Sequence, residues 1–70
     1  MSTPTHMVEM DRPYGKGIKM QSIYGGLDAA ITFCRSKMAF SESIPLEHKT
    51  IFRIREHGAH SGEFVWTAAG

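Results

Sequence analysis

A single cysteine, Cys34, is all that this 70-residue chain contains, so no internal disulfide braces it. Stability must come from packing, from self-association or from a partner. No apolar run approaches the roughly 20 residues that a membrane-spanning helix needs. Residues 1–6 also lack the basic segment and apolar stretch of a signal peptide. The expectation is a cytoplasmic protein without a membrane partner. Neither sign of charge dominates: eight Lys and Arg stand against seven Asp and Glu, for a formal net charge of +1, and both signs are spread evenly along the chain. Bulk electrostatics therefore names no polyanionic partner, and there is no charged tail.

Motifs for common chemistries are missing as well. There is no glycine-flanked serine, phosphate loop or dinucleotide fingerprint. Gly15-Lys16-Gly17 precedes a strand pattern instead of a helix start, so it lacks the amide cradle of a phosphate site and reads as hairpin chemistry. His57 and His60 flank a turn beside Glu56, with His6 and His48 elsewhere, but they do not make a four-ligand zinc pattern. Neither a metal nor a cofactor is expected. Cys34 shares a helical stripe with Ala30, Ile31 and Met38, which marks it as a small core residue and not a thiolate nucleophile. So short a chain has little interior in which to hold an acid, base or nucleophile, and a non-catalytic protein is expected.

What is present is a clear pattern of elements. Residues 1–4 are polar and without period, and read as a mobile arm; residues 5–70 form one domain. In 5–12, Val8 and Met10 alternate with Glu9 and Asp11, as in a half-buried strand. Residues 13–17 combine Pro13 with Gly15 and Gly17 and read as a five-residue turn. A second strand over 18–24 then places Ile18 and Met20 inward and Lys19 and Gln21 outward. Leu27, Ala30, Ile31, Cys34 and Met38 follow at offsets 0, 3, 4, 7 and 11, one apolar stripe on a helix over 27–38. Asp28 lies at its start and Arg35 and Lys37 at its end, each on the favourable side of the helix dipole. Phe33 borders the stripe, placed to pack beneath a loop. Residues 39–49 read as a long connection, with Ile44 and Leu46 available to pin it. A third strand spans 50–57, with Phe52 and Ile54 on one side and Arg53 and Arg55 on the other. After a turn at 58–62, a fourth strand spans 63–68.

Two hairpins joined by one helix specify an α+β fold, two layers with a four-stranded antiparallel sheet and one helix on one face, in the order ββαββ. One helix covers one face, so the other face is the expected interaction surface. Lys19, Gln21, Arg53 and Arg55 are placed there, with Trp66 or Val65, since these two alternate on one strand and cannot both point inward. The Arg pair with Lys19 suits phosphate or a carboxylate-rich surface; the plainer reading is a solvated face whose Arg stems cover the sheet. Trp66, Tyr14, Tyr24, Phe52 and Phe64 are candidate base-stacking platforms, though in a small domain aromatics more often fill the core.

This plan, carried by residues 7–24, 27–38 and 50–66, resembles several small phage-encoded inhibitors of the anti-CRISPR type. The resemblance implies a protein that binds a larger protein or ribonucleoprotein complex that handles nucleic acid and blocks it. The near-neutral charge sets this chain apart from the strongly acidic DNA mimics among them. Two further functions stay open: a direct nucleic-acid-binding module using the open sheet face, and a small accessory or ligand-binding protein that forms a homodimer.

Overall fold

The computed structural model describes residues 2–40, 43–60 and 62–70. Strand β1 (His6–Arg12) pairs on one side with β2 (Gly17–Ile23) and on the other with β3 (Ile51–Glu56). Strand β4 (Trp66–Ala69) completes a four-stranded antiparallel sheet in the order β2-β1-β3-β4. Helix α1 (Gly26–Met38) lies across one face. This is the ββαββ, two-layer α+β arrangement that the alternating and helical periods specify. A short 3-10 turn, Leu46–His48, interrupts the connection from α1 to β3.

The core forms where the sheet's apolar rows meet the helix. Val8 and Met10 of β1, Phe52 and Ile54 of β3, and Ile23 at the end of β2 are buried against Ala30 and Cys34. Ile31, Phe33, Met38 and Trp66 pack around them, partly buried. Leu27, which opens the apolar stripe, stays exposed. It precedes the turns of α1 that reach the sheet. Gly25, the residue before α1, offers no side-chain cap. The Thr5 hydroxyl takes that role from across the fold, accepting the Gly26 N–H at 2.9 Å. It also donates to the Ile23 carbonyl at 3.2 Å, so one side chain joins the start of β1, the end of β2 and the start of α1.

One residue changes how β2 lies. The β1–β2 turn is residues 13–16, and Gly17 is the first residue of β2, paired with Arg12. The sequence reading assigns Gly17 to the turn and thereby shifts the pairing by one. Because side chains alternate, a one-residue shift moves a whole strand's side chains to the opposite face. Met10 stands opposite Lys19 and Val8 opposite Gln21. Lys19 and Gln21 therefore share the helix side of the sheet, while Ile18 and Met20, expected inside, lie on the open face and are exposed.

At the other edge, Trp66 pairs with the fully buried Ile54 and so faces the helix side. Val65, whose N–H bonds the Ile54 carbonyl at 2.8 Å, is exposed. That resolves the alternative left open by the sequence: Trp66 belongs to the packed layer. Strand β4 is also shorter than the 63–68 pattern and begins three residues later.

Candidate functional site

The five residues expected on one open face divide among three places. Arg53 and Arg55 are on the open face; Lys19 and Gln21 are on the helix side; Trp66 packs beside the core. The two arginines do not form a free basic stripe. Arg53 Nη2 lies 3.3 Å from Asp11 Oδ2, and Arg55 Nη2 lies 3.6 Å from Glu9 Oε1. Each carboxylate sits on β1 one diagonal step from its partner, because Arg53 is directly opposite Glu9 and Arg55 directly opposite Met7. The Arg53 guanidinium also stands 5.7 Å from the centre of the Phe64 ring, a contact from the β3–β4 loop. The middle of the open face is thus charge-balanced and partly covered.

The helix side has a different character. Helix α1 packs mainly on β1 and β3 and less on β2. Ile23 is the only buried residue of β2, and residues 17–21 are all exposed. Between this uncovered half of β2, the second half of α1 and the connection before β3 lies a cleft of about 390 Å³. Its floor is apolar, made of Met10, Phe33, Ile44 and Phe52. Its walls carry Arg12, Lys19, Lys37 and Lys49, with Gln21 and His48. No side-chain carboxylate lines it among the described residues.

Each wall cation is placed by a local feature. Arg12 ends β1 and is held by the turn it adjoins, with Nη2 donating to the Lys16 carbonyl at 2.6 Å and Nε to the Gly17 carbonyl at 3.5 Å. Lys19 enters from β2 by the register described above. Lys37, one turn beyond Phe33 on α1, holds its Nζ 5.5 Å from the centre of that ring. Lys49 follows the 3-10 turn directly. The Tyr14 and His48 rings meet at 5.2 Å, so the β1–β2 turn touches the segment that closes the cleft's third side. Glu47 adjoins His48, its Oε1 3.8 Å from His48 Nε2, and is largely exposed. The positioning of Phe33 under a connection agrees with its place beside the helical stripe, and Ile44 contributes to the floor; Leu46 stays in solvent.

Four of the chain's eight Lys and Arg thus surround one concavity. Net charge of +1 hides this: Glu9 and Asp11 lie on the open face, paired with Arg55 and Arg53, and none of Asp28, Glu47, Glu56 and Glu63 lines the cleft. The arrangement can neutralise an anion and bury an attached apolar or planar group beneath it. Elsewhere, Cys34 is fully buried and its thiol is pushed up to about 11 by burial, which leaves it protonated near neutrality. Among the described residues, no three His, Cys, Asp or Glu side chains gather as a metal-holding group, and no helix is long and apolar enough to cross a membrane.

Sequence reasoning missed the cleft because it depends on where α1 crosses the sheet. Part of the signal was available in the spacing. Met10 in the core and a four-residue turn together put Lys19 on the helix side. Comparison with protein-family models, curated proteins and solved structures finds no match to the chain.

Proposed function

We propose that this chain is a non-catalytic interaction protein that binds and blocks a nucleic-acid-handling complex, such as a CRISPR effector, and that it does so through the helix-side cleft. The role is the one implied by the resemblance to small phage-encoded inhibitors. The observation that carries the choice of surface is the gathering of Arg12, Lys19, Lys37 and Lys49 around one cleft that no side-chain carboxylate of the described residues lines, while Arg53 and Arg55 are already paired. A partner rich in phosphate is attracted to unopposed cations and gains little from paired ones.

The test is capture of purified CRISPR effector complexes by the immobilised full chain, alongside an interference assay in cells. Retention and relief of interference are expected, both lost in the Lys19→Glu/Lys37→Glu/Lys49→Glu variant and both kept in Arg53→Gln/Arg55→Gln. Failure to retain any effector, with interference untouched, sinks the proposal. Dependence on Arg53 and Arg55 instead of the lysines moves the contact to the open face.

One observation favours the homodimer reading. Strand β2 is a seven-residue sheet edge that exposes Ile18 and Met20, and an unprotected edge of this length is a template for pairing with another strand. Light scattering at tens of micromolar decides it: a dimer that becomes a monomer in Met20→Lys supports β2 pairing, and a monomer throughout excludes it.

A further inference from the structure

We infer that the cleft takes a segment of single-stranded nucleic acid, one unstacked base resting on the apolar floor and the flanking phosphates on the wall lysines. The inference rests on the proposed role of the cleft as the contact surface and specifies what enters it. Three features of the site point to this chemistry.

The floor is apolar and includes the partly exposed Phe33 beside Met10 and Ile44. A base has a planar face that gains from such a surface, and it can reach the floor only when it is out of a helical stack. A duplex keeps its base faces stacked inside and presents only phosphates, sugars and groove edges. The cleft's volume of about 390 Å³ falls in the range of sites that enclose one small organic unit.

The walls supply more positive charge than one phosphate group uses. Arg12, Lys19, Lys37 and Lys49 stand on four different segments around the floor, which suits successive phosphates on either side of a bound base better than a free mononucleotide.

The type of cation fits a run of phosphates. A free arginine fork grips one carboxylate or phosphate in a fixed bidentate geometry. Here the one wall arginine has Nε and Nη2 already engaged with the Gly17 and Lys16 carbonyls. The other three are lysines, point charges with rotatable donors that suit phosphate oxygens from several directions.

The experiment is fluorescence anisotropy of the full chain with labelled ten-nucleotide oligo-dT and oligo-U at 50 and 200 mM salt. Competitors are a duplex of equal length, free uridine monophosphate and a ten-residue polyglutamate. Binding of a single strand, weakened roughly 50-fold between the two salt concentrations, is the result expected for four neutralised phosphates. Lys19→Gln/Lys37→Gln/Lys49→Gln is expected to weaken binding at least tenfold and flatten the salt dependence. Phe33→Leu is expected to weaken it severalfold with the salt dependence unchanged, the signature of lost stacking. Arg53→Gln/Arg55→Gln retains affinity. Thermal melts confirm that each variant is folded.

The inference is overturned if neither oligonucleotide binds at 50 mM salt, if duplex, polyglutamate or the free mononucleotide competes equally, or if the triple lysine variant binds as well as the original chain. If oligonucleotides fail while effector capture still depends on the lysines, this inference falls and the proposed function stands. If oligonucleotides bind and no effector is retained, the opposite holds.

Discussion

Met10 and Lys19 face each other across the β1–β2 ladder, one buried beneath α1 and the other exposed at the wall of the cleft. A single step across the sheet passes from core to cationic surface. The contrast arises because α1 covers β1 and leaves most of β2 bare, so two residues on the same face have opposite surroundings. The same ladder puts Met20 on the other face, opposite Glu9.

This register predicts opposite fates for two methionines that the sequence reading treats alike. Met10→Lys buries a charge with no partner and is expected to unfold the domain or cost several kcal/mol. Met20→Lys, at an exposed position, is expected to stay within about 0.5 kcal/mol of the original stability. Urea titration followed by circular dichroism measures both. Equal losses would show that Met20 is also a core residue.

The two diagonal ion pairs are expected to differ in strength. Arg55 and Glu9 are more enclosed, their side chains 20% and 12% exposed, than Arg53 and Asp11 at 27% and 43%. A double-mutant cycle is expected to give a coupling of about 1 kcal/mol for Arg55 with Glu9 and less for Arg53 with Asp11. Arg55→Ala is also expected to lower the melting temperature, because it leaves Glu9 enclosed without its partner. A zero coupling at Arg55 would mean that solvent screens the pair fully.

Removing the Thr5 hydroxyl tests the tie between sheet and helix. Thr5→Val keeps the shape and strand preference but strips Gly26 of its acceptor. The expected cost is about 1 kcal/mol, typical of a lost helix cap. Hydrogen exchange at the Gly26 amide is expected to accelerate more than exchange at Val8. Equal acceleration would assign the loss to general destabilisation.

Cys34 gives a prediction about pH. Its thiol is raised from 9.0 to about 11 in the fold, so the folded protein holds that proton more tightly than the unfolded chain. The associated stability is intact below pH 9 and is lost as pH rises towards 11. The readout is the difference between the original chain and Cys34→Ala, which cancels contributions common to both. The original is expected to lose more stability from pH 9 to 11, and its thiol to resist alkylation at pH 8 until denaturant is added. Rapid alkylation without denaturant would show that α1 opens locally.

The layered plan was legible because it follows from periods local to each element. Val8 with Met10, Phe52 with Ile54, and Ala30 with Cys34 each announce a buried side without knowledge of the others. The faces of β2 were not legible by the same means. Ile18 and Met20 alternate as convincingly as a buried pair, and only the assignment of Gly17 to strand instead of turn decides which side they occupy. Gly17, with φ +82°, has the backbone of a turn residue and the pairing of a strand residue. The cleft was harder still, since Arg12, Lys37 and Lys49 share no period and meet only through tertiary packing. Phe64 over Arg53 is another such encounter, made by a loop whose path no alternation encodes.

The place of β1 in the sheet bears on how the chain folds. β1 is the first strand in sequence, yet it sits in the interior of the sheet between β2 and β3. Its ladder to β2 closes across a four-residue turn, whereas its ladder to β3 joins His6 to Glu56 and Asp11 to Ile51. The first is local and fast; the second requires closure of a loop of some forty residues, and sets the slower step. During synthesis the β1–β2 hairpin and α1 emerge before β3 exists, leaving the hydrogen-bonding edge of β1 vacant until residues 51–56 follow. The final hairpin therefore acts as the closing piece, and substitutions in β3 such as Ile54→Val should be felt in the rate at which the sheet assembles as well as in the rate at which it comes apart.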